Sequence, residues 1–168
     1  RTGRLARRLP LEITLIGDAT HHARSRKEKQ RILEAIRCND LTGRIRMLGF
    51  QPHSVVMEEA YRHHVYLSPS VRASDGDSEG GAPVAIIEMA ASGMPVIATR
   101  HCDIPGVVVD GETGFLAEER DVDGLVAAFE RLLSMSGGWE SLANRARRHV
   151  EERFDARAQG ARLAELYD

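Results

Sequence analysis

Short apolar runs alternating with stretches of helical spacing constrain this chain more than any other feature. The runs are Leu11 to Ile16 (LEITLI), Arg44 to Leu48 (RIRML), Val65 to Leu67 (VYL) and Pro95 to Ala98 (PVIA). Short, largely apolar strands that alternate with amphipathic helices indicate a parallel sheet covered on both faces. A chain of 168 residues has the length for one compact domain of this kind. The expectation is therefore an α/β fold, a parallel sheet flanked by helices.

The helical stretches have recognisable ends. A helix is expected from Ser25 to Arg37, and Ser54 is placed to cap another running to Arg62. Pro83 opens a third in its first turn, where a missing amide hydrogen costs nothing, and Gly93 follows its end at Ser92. Ile86, Met89 and Ala90 share one side of that helix, widened by Ile87. The segment RHCDIPG, Arg100 to Gly106, reads as a loop. Turns at Asp110-Gly111 and Thr113-Gly114 then lead to a short extended piece at Phe115-Leu116. Asp121 to Leu133 carries Val122, Leu125, Val126, Phe129, Leu132 and Leu133 at helical spacing. Helices from Trp139 to Val150 and from Asp155 to Tyr167 complete the chain, with Trp139 and Phe129 expected to anchor them to the sheet.

Charge and cysteines exclude several classes. The formal net charge is -2, from 25 acidic and 23 basic residues, which gives no reason to expect a nucleic-acid partner. The basic clusters at Arg1, Arg4, Arg7 and Arg8 and at Arg24 to Arg31 read as solvated helix faces, with contact to a membrane surface or another domain as the alternative. No apolar stretch has the length of a membrane span. Cys38 and Cys102 lack paired spacing and read as reduced thiols, so a cytoplasmic setting is expected. The opening RTGRLARRLP resembles the end of a helix closed by Pro10, which implies further sequence upstream.

In open parallel sheets ligands bind outside the carboxyl ends of the strands. The loops at Gly17-Asp18, Gly49-Phe50, Ser68 to Ala82 and Thr99 to Gly106 occupy those ends, and one ligand site accounts for their glycines and acids. Gly80 and Gly81 would let the backbone approach a ligand, and the helix starting near Pro83 would aim free amides at a diphosphate. Glu88, a turn and a half along, can accept two sugar hydroxyls. On spacing alone, a capped helix with an acidic entry loop explains the segment equally well. The acids Asp75, Asp77 and Glu79 lack a full calcium-loop pattern, and the seven histidines have no zinc spacing, so no metal is expected. His101 reads as an ordinary loop histidine within reach of a ligand. The GDATHH after the first strand is not a dinucleotide fingerprint.

The run EGGAPVAIIEMAASGMPVIAT, Glu79 to Thr99, resembles the signature of a large retaining glycosyltransferase family, family 4 of the glycosyl transferases group 1. Sucrose synthase, sucrose-phosphate synthase and many bacterial enzymes of polysaccharide and glycolipid assembly are members. The segments ITLIGD, IRMLGF, VYLSPS and DGETGFLAE occur here in the family's order, so the resemblance spans roughly residues 11 to 133.

The resemblance implies the Rossmann-like, C-terminal donor-binding half of a two-domain GT-B fold. Residues 1–168 would form a single nucleotide-sugar-binding domain, truncated on its N-terminal side, with the N-terminal acceptor domain absent and the fragment inactive alone. It implies transfer of a hexose from a UDP, GDP or ADP sugar, with no tightly bound cofactor, to a saccharide or lipid-linked acceptor. Peripheral association of the full-length protein with the inner face of the membrane is compatible with such acceptors. Glu79 and Glu88 match the family's paired catalytic-site glutamates, Glu88 the one that holds the ribose. Gly80, Gly81, Ala82 and Pro83 would contact sugar or phosphate, and Gly17, Asp18, Gly49 and Phe50 would border the nucleotide. The two glutamates are separated by eight residues where relatives have seven, so Gly80 takes the first-glutamate slot if the helix register is kept. The alternative class is a non-catalytic nucleotide- or sugar-binding α/β module.

Overall fold

The computed structural model describes residues 10–78 and 80–167. The basic run at Arg1, Arg4, Arg7 and Arg8, the helix expected before Pro10, and Glu79 lie outside the described residues. The chain divides into two compact units, residues 1–59 and 60–168.

The first unit contains β1 (Ile13–Leu15), α1 (Ala23–Cys38), a 3-10 turn (Thr42–Arg44), β2 (Ile45–Met47) and α2 (His53–Ala60), which ends at the boundary. β1 and β2 pair in parallel, Ile13 opposite Ile45 and Leu15 opposite Met47. Parallel neighbours need a long crossover, and α1 supplies it. Thr14 and Arg46 face each other in this register, and the Arg46 guanidinium donates to Thr14 Oγ1 (3.4 Å) and to the buried carboxylate of Glu59. α1 is closed by Asn39, whose side-chain amide donates to Ala35 O (2.8 Å). Ser54 does not cap α2. It sits inside the helix, because the Pro52 carbonyl accepts from both Val55 N–H (3.0 Å) and Val56 N–H (3.2 Å) and so starts the helix at His53, two residues earlier than a Ser54 cap would.

The second unit holds β3 (Tyr66–Ser68), α3 (Val84–Ala91), β4 (Val96–Thr99), α4 (Ile104–Val107), β5 (Phe115–Ala117), α5 (Val122–Ser134), α6 (Trp139–Phe154) and α7 (Ala156–Glu165). Its three strands are parallel in the order β3-β4-β5, with Tyr66 opposite Val96 and Ile97 opposite Phe115. Every residue of the central strand β4 is buried. The core gathers Ile97, Phe115, Ala128, Leu132 and Leu142, with Phe129 and Trp139 packed against it, as their spacing indicated. Trp139 also donates its indole N–H to Leu132 O at 2.7 Å, which fixes the start of α6 against the end of α5.

α3 and α6 pack on each other. The buried side chains are Ile86, Met89 and Ala90 on α3, and Leu142, Ala146 and Val150, four apart, on α6. α3 ends in a Schellman motif: Gly93 N–H bonds Ala90 O (3.1 Å), Met94 N–H bonds Met89 O (3.0 Å), and Gly93 has φ +85°. Pro83 is the residue before α3 rather than its first, with φ -59° and an extended ψ of 130°. The segment after β4 is not a plain loop either. Its Ile104 and Val107 are wholly buried, and burying both within four residues winds it into the short helix α4.

The DGETGFLAE segment is accounted for by packing. Asp110 Oδ1 accepts from Leu116 N–H (3.0 Å), and Thr113 Oγ1 accepts from Val109 N–H (2.8 Å). Gly111 has φ +78°, and the Arg131 guanidinium lies 4.5 Å from the Phe115 ring centroid. These contacts turn the chain sharply into β5.

Candidate functional site

In the second unit the carboxyl ends of β3, β4 and β5 lead into Pro69-Ser70, Arg100-His101-Cys102 and Glu118-Glu119-Arg120. A polar network joins these ends. Thr99 Oγ1 donates to Ser70 O, and the Arg120 guanidinium donates to Arg72 O. The Arg72 amide donates to Glu119 Oε2 at 2.8 Å, and Glu119 Oε1 lies 2.6 Å from His101 Nδ1. Arg100 pairs with Glu118 (3.3 Å) and Asp110 (3.5 Å). The long loop after β3 is thereby tied to the ends of the two neighbouring strands. Asp77 N–H bonds Asp75 Oδ1 (3.2 Å), so this acidic pair shapes the loop's own turn.

His101 is the clearest departure from expectation. It is 1% exposed and held by Glu119, so it is a buried, oriented side chain rather than a free loop histidine. The hydrogen bond from His101, and after it the Arg72 amide, hold the Glu119 carboxyl below the usual glutamate range. Glu119, Arg72 and Arg120 were not singled out by spacing. The available signal was position, since they follow the carboxyl ends of β5 and β3.

α3 begins in the same unit. Gly80 has φ +73°, a conformation that side-chain-bearing residues adopt only under strain. A Cβ on Gly81 would lie 3.8 Å from Asp103 Oδ2, so the glycine pair passes close to the loop after β4. No side chain caps α3 among the described residues, because proline precedes it and offers no acceptor. Glu88, its fifth residue, is half-buried. A cavity of about 620 Å³ lies alongside, lined by Ala82, Ile87, Cys102, Asp103, Pro105 and Gly106, with Phe154 at its edge. A second cavity, of about 460 Å³, opens between His63-His64 and Met94-Pro95, at the amino ends of β3 and β4. That is the end of a parallel sheet where ligands are not expected.

In the first unit the carboxyl ends of β1 and β2 meet, with Gly17 N–H donating to Gly49 O at 2.7 Å. Both glycines have positive φ, +117° and +66°. Phe50 is 68% exposed beside them. Asp18 accepts from Lys29 Nζ (2.5 Å) and from the Ala19 amide (2.6 Å). Those two contacts, the lysine first, hold its carboxyl below the usual range. Lys29 thus orders the loop after β1. Among the described residues no cluster of three histidine, cysteine or acidic side chains could hold a metal, and no helix is long and apolar enough to cross a membrane.

The family model described as Glycosyl transferases group 1 matches residues 3–135 of this chain. The chain belongs to the glycosyl transferases group 1 family. It is 33% identical, over 134 residues, to the amylovoran biosynthesis glycosyltransferase AmsK of Erwinia amylovora, a match covering 80% of this chain and 33% of that protein. In structure it is similar to sucrose-phosphate synthase from Thermosynechococcus elongatus (TM-score 0.82, 23% identity, 99% of this chain and 40% of that one). It is also similar to HepE of Anabaena in complex with UDP-glucose (TM-score 0.79, 20% identity, 93% and 40%). This chain therefore has the C-terminal, Rossmann-like half of the GT-B fold. It spans about a third of the length of the curated relatives it matches.

Proposed function

We propose that this chain is the donor-binding half of a retaining, family 4 glycosyltransferase that moves a hexose from a nucleotide diphosphate sugar to a saccharide or lipid-linked acceptor. One observation carries the reading. In a group 1 family member, a helix with no side-chain cap starts behind a glycine pair and carries a half-buried glutamate one turn and a half along. Amides at a helix start favour phosphate, and a carboxylate accepts ribose hydroxyls. Relatives named for the biosynthesis of polysaccharides, and a structural neighbour holding UDP-glucose, support the substrate class.

In this reading Gly80, Gly81, Ala82 and Pro83 contact sugar and diphosphate, and Glu88 binds the ribose. Glu79 stands beside the hexose as the first catalytic-site glutamate. Gly17, Asp18, Gly49 and Phe50 border the nucleotide. The backbone amides take up the charge of the departing diphosphate, and the acceptor hydroxyl attacks on the face the diphosphate leaves. No metal is required for that task. In this reading the acceptor domain and the basic groups on the diphosphate belong to the full-length protein. The full-length protein works in the cytoplasm, against the inner membrane face where its acceptor is lipid-linked.

The test is transfer of labelled hexose by the full-length parent protein. Glu88→Gln is expected to lower kcat/KM for the donor by about tenfold or more. Proton NMR of the product is expected to show the donor's anomeric configuration. Inversion would end the retaining assignment, and an unaffected Glu88→Gln variant would remove Glu88 from the site.

A further inference from the structure

We propose that Cys102, His101 and Glu119 form a thiol-exchange site at which Cys102 is converted to a mixed disulfide by low-molecular-weight disulfides. The three side chains form a relay. Cys102 Sγ lies 3.3 Å from His101 Nε2, and His101 Nδ1 lies 2.6 Å from Glu119 Oε1. With Nδ1–H donating to the carboxylate, Nε2 faces the thiol with its lone pair. This is the order nucleophile, base and orienting acid that activates thiols.

The arrangement is built in by the surrounding fold. His101 is 1% exposed and cannot swing away, and its carbonyl accepts from Ile104 N–H (3.0 Å). Glu119 is fixed from its other oxygen by the Arg72 amide (2.8 Å), with the Arg120 charge also acting on it. Cys102 is held in the left-handed region (φ 44°), a strained conformation for a residue with a side chain. That strain keeps Sγ beside the imidazole. The ring is buried, yet Cys102 itself is exposed and lines the 620 Å³ cavity with Ala82, Ile87, Asp103 and Pro105. A reagent therefore has both a sulfur placed against a buried imidazole and space to reach it.

The chemistry balances. The thiol proton passes to Nε2, giving a thiolate beside an imidazolium that Glu119 stabilises. The thiolate attacks one sulfur of R–S–S–R, the S–S bond breaks, and Cys102–S–S–R forms. The released RS⁻ takes the proton back from Nε2 and leaves as RSH, so Cys102 is oxidised as the external disulfide is reduced. Glu119 acts through His101 and is a positioning residue.

The experiment treats the intact chain with oxidised glutathione at neutral pH and follows both cysteines by peptide mass spectrometry. Cys38, exposed at the carboxyl end of α1, is the reference within the same molecule. Cys102 is expected to react about tenfold faster than Cys38. His101→Gln and Glu119→Gln should bring the ratio to near unity, and Glu119→Asp should restore most of it. Glu119 is partly exposed, so its variants carry the test if replacing the buried histidine unfolds the chain. Equal rates for the two cysteines in the wild type, or a full rate advantage retained in Glu119→Gln, would overturn the proposal.

Discussion

Gly114 has no room for a side chain. A Cβ there would lie 2.6 Å from Val96 O and 2.7 Å from Val108 Cγ1, and the first of these is backbone of the central strand. Gly114→Ala is expected to destabilise the chain by about 1–3 kcal/mol, measured by urea unfolding, since the strand cannot yield. Gly80→Ala meets nothing within 4 Å, so only its positive φ opposes it, and a loss of about 1 kcal/mol is expected. Both glycines stand in segments whose residue pattern is legible in the sequence, but the reasons differ. One is excluded volume and the other backbone conformation, and only coordinates separate them. The same holds for His101. Its neighbours RHCDIPG look like loop, and nothing in that spelling shows that Glu119, eighteen residues on, closes over the ring. Acid stability should report these carboxylates. Glu119 and Asp18 have pKa values lowered by folding, so they stabilise the fold above the ordinary carboxylate range. That contribution is lost as pH falls through the lowered values. Glu119→Gln is expected to flatten the decline of the unfolding midpoint on acidification, and an unchanged decline would contradict the His101–Glu119 pairing.

At the scale of elements, type and order are legible because the period of the apolar residues differs between strand and helix. Ends are legible where a side chain makes the cap. Asp121 accepts from Gly124 N–H (2.8 Å) before α5, and Asp155 accepts from Arg157 and Ala158 N–H (3.0 and 2.8 Å) before α7. They fail where backbone carbonyls do the capping, as Pro52 does ahead of α2. α4 escapes because four residues are too few to show a period. α5 and α7 make a useful contrast. α5 buries Ala128 and Leu132, whereas α7 has no buried residue, and its ten residues are too few to be stable through local bonds alone. Amide hydrogen exchange is expected to be much faster in α7 than in α5. Asp155→Ala should accelerate α7 further while leaving α5 unchanged, because a lost N-cap costs about 1 kcal/mol locally.

At the scale of the whole molecule, the family is carried by several short motifs in order, and the fold follows from it. The site is less legible. Gly80 to Glu88 in one unit and Gly17-Asp18 and Gly49-Phe50 in the other become candidates through position at strand ends and through resemblance. A nucleotide sugar seated on these residues is what the proposed function requires. The most direct measurement is an amide NMR titration of the labelled chain, and of its full-length parent, with UDP, GDP and ADP, each with and without an attached hexose. The expected result is saturable shifts centred on Gly17, Gly49 and Gly80 to Glu88, with one base preferred and larger changes around Gly80 to Pro83 when the hexose is attached. Shifts gathered instead around His63, His64 and Trp139, or none in either protein at millimolar ligand, would contradict the assignment.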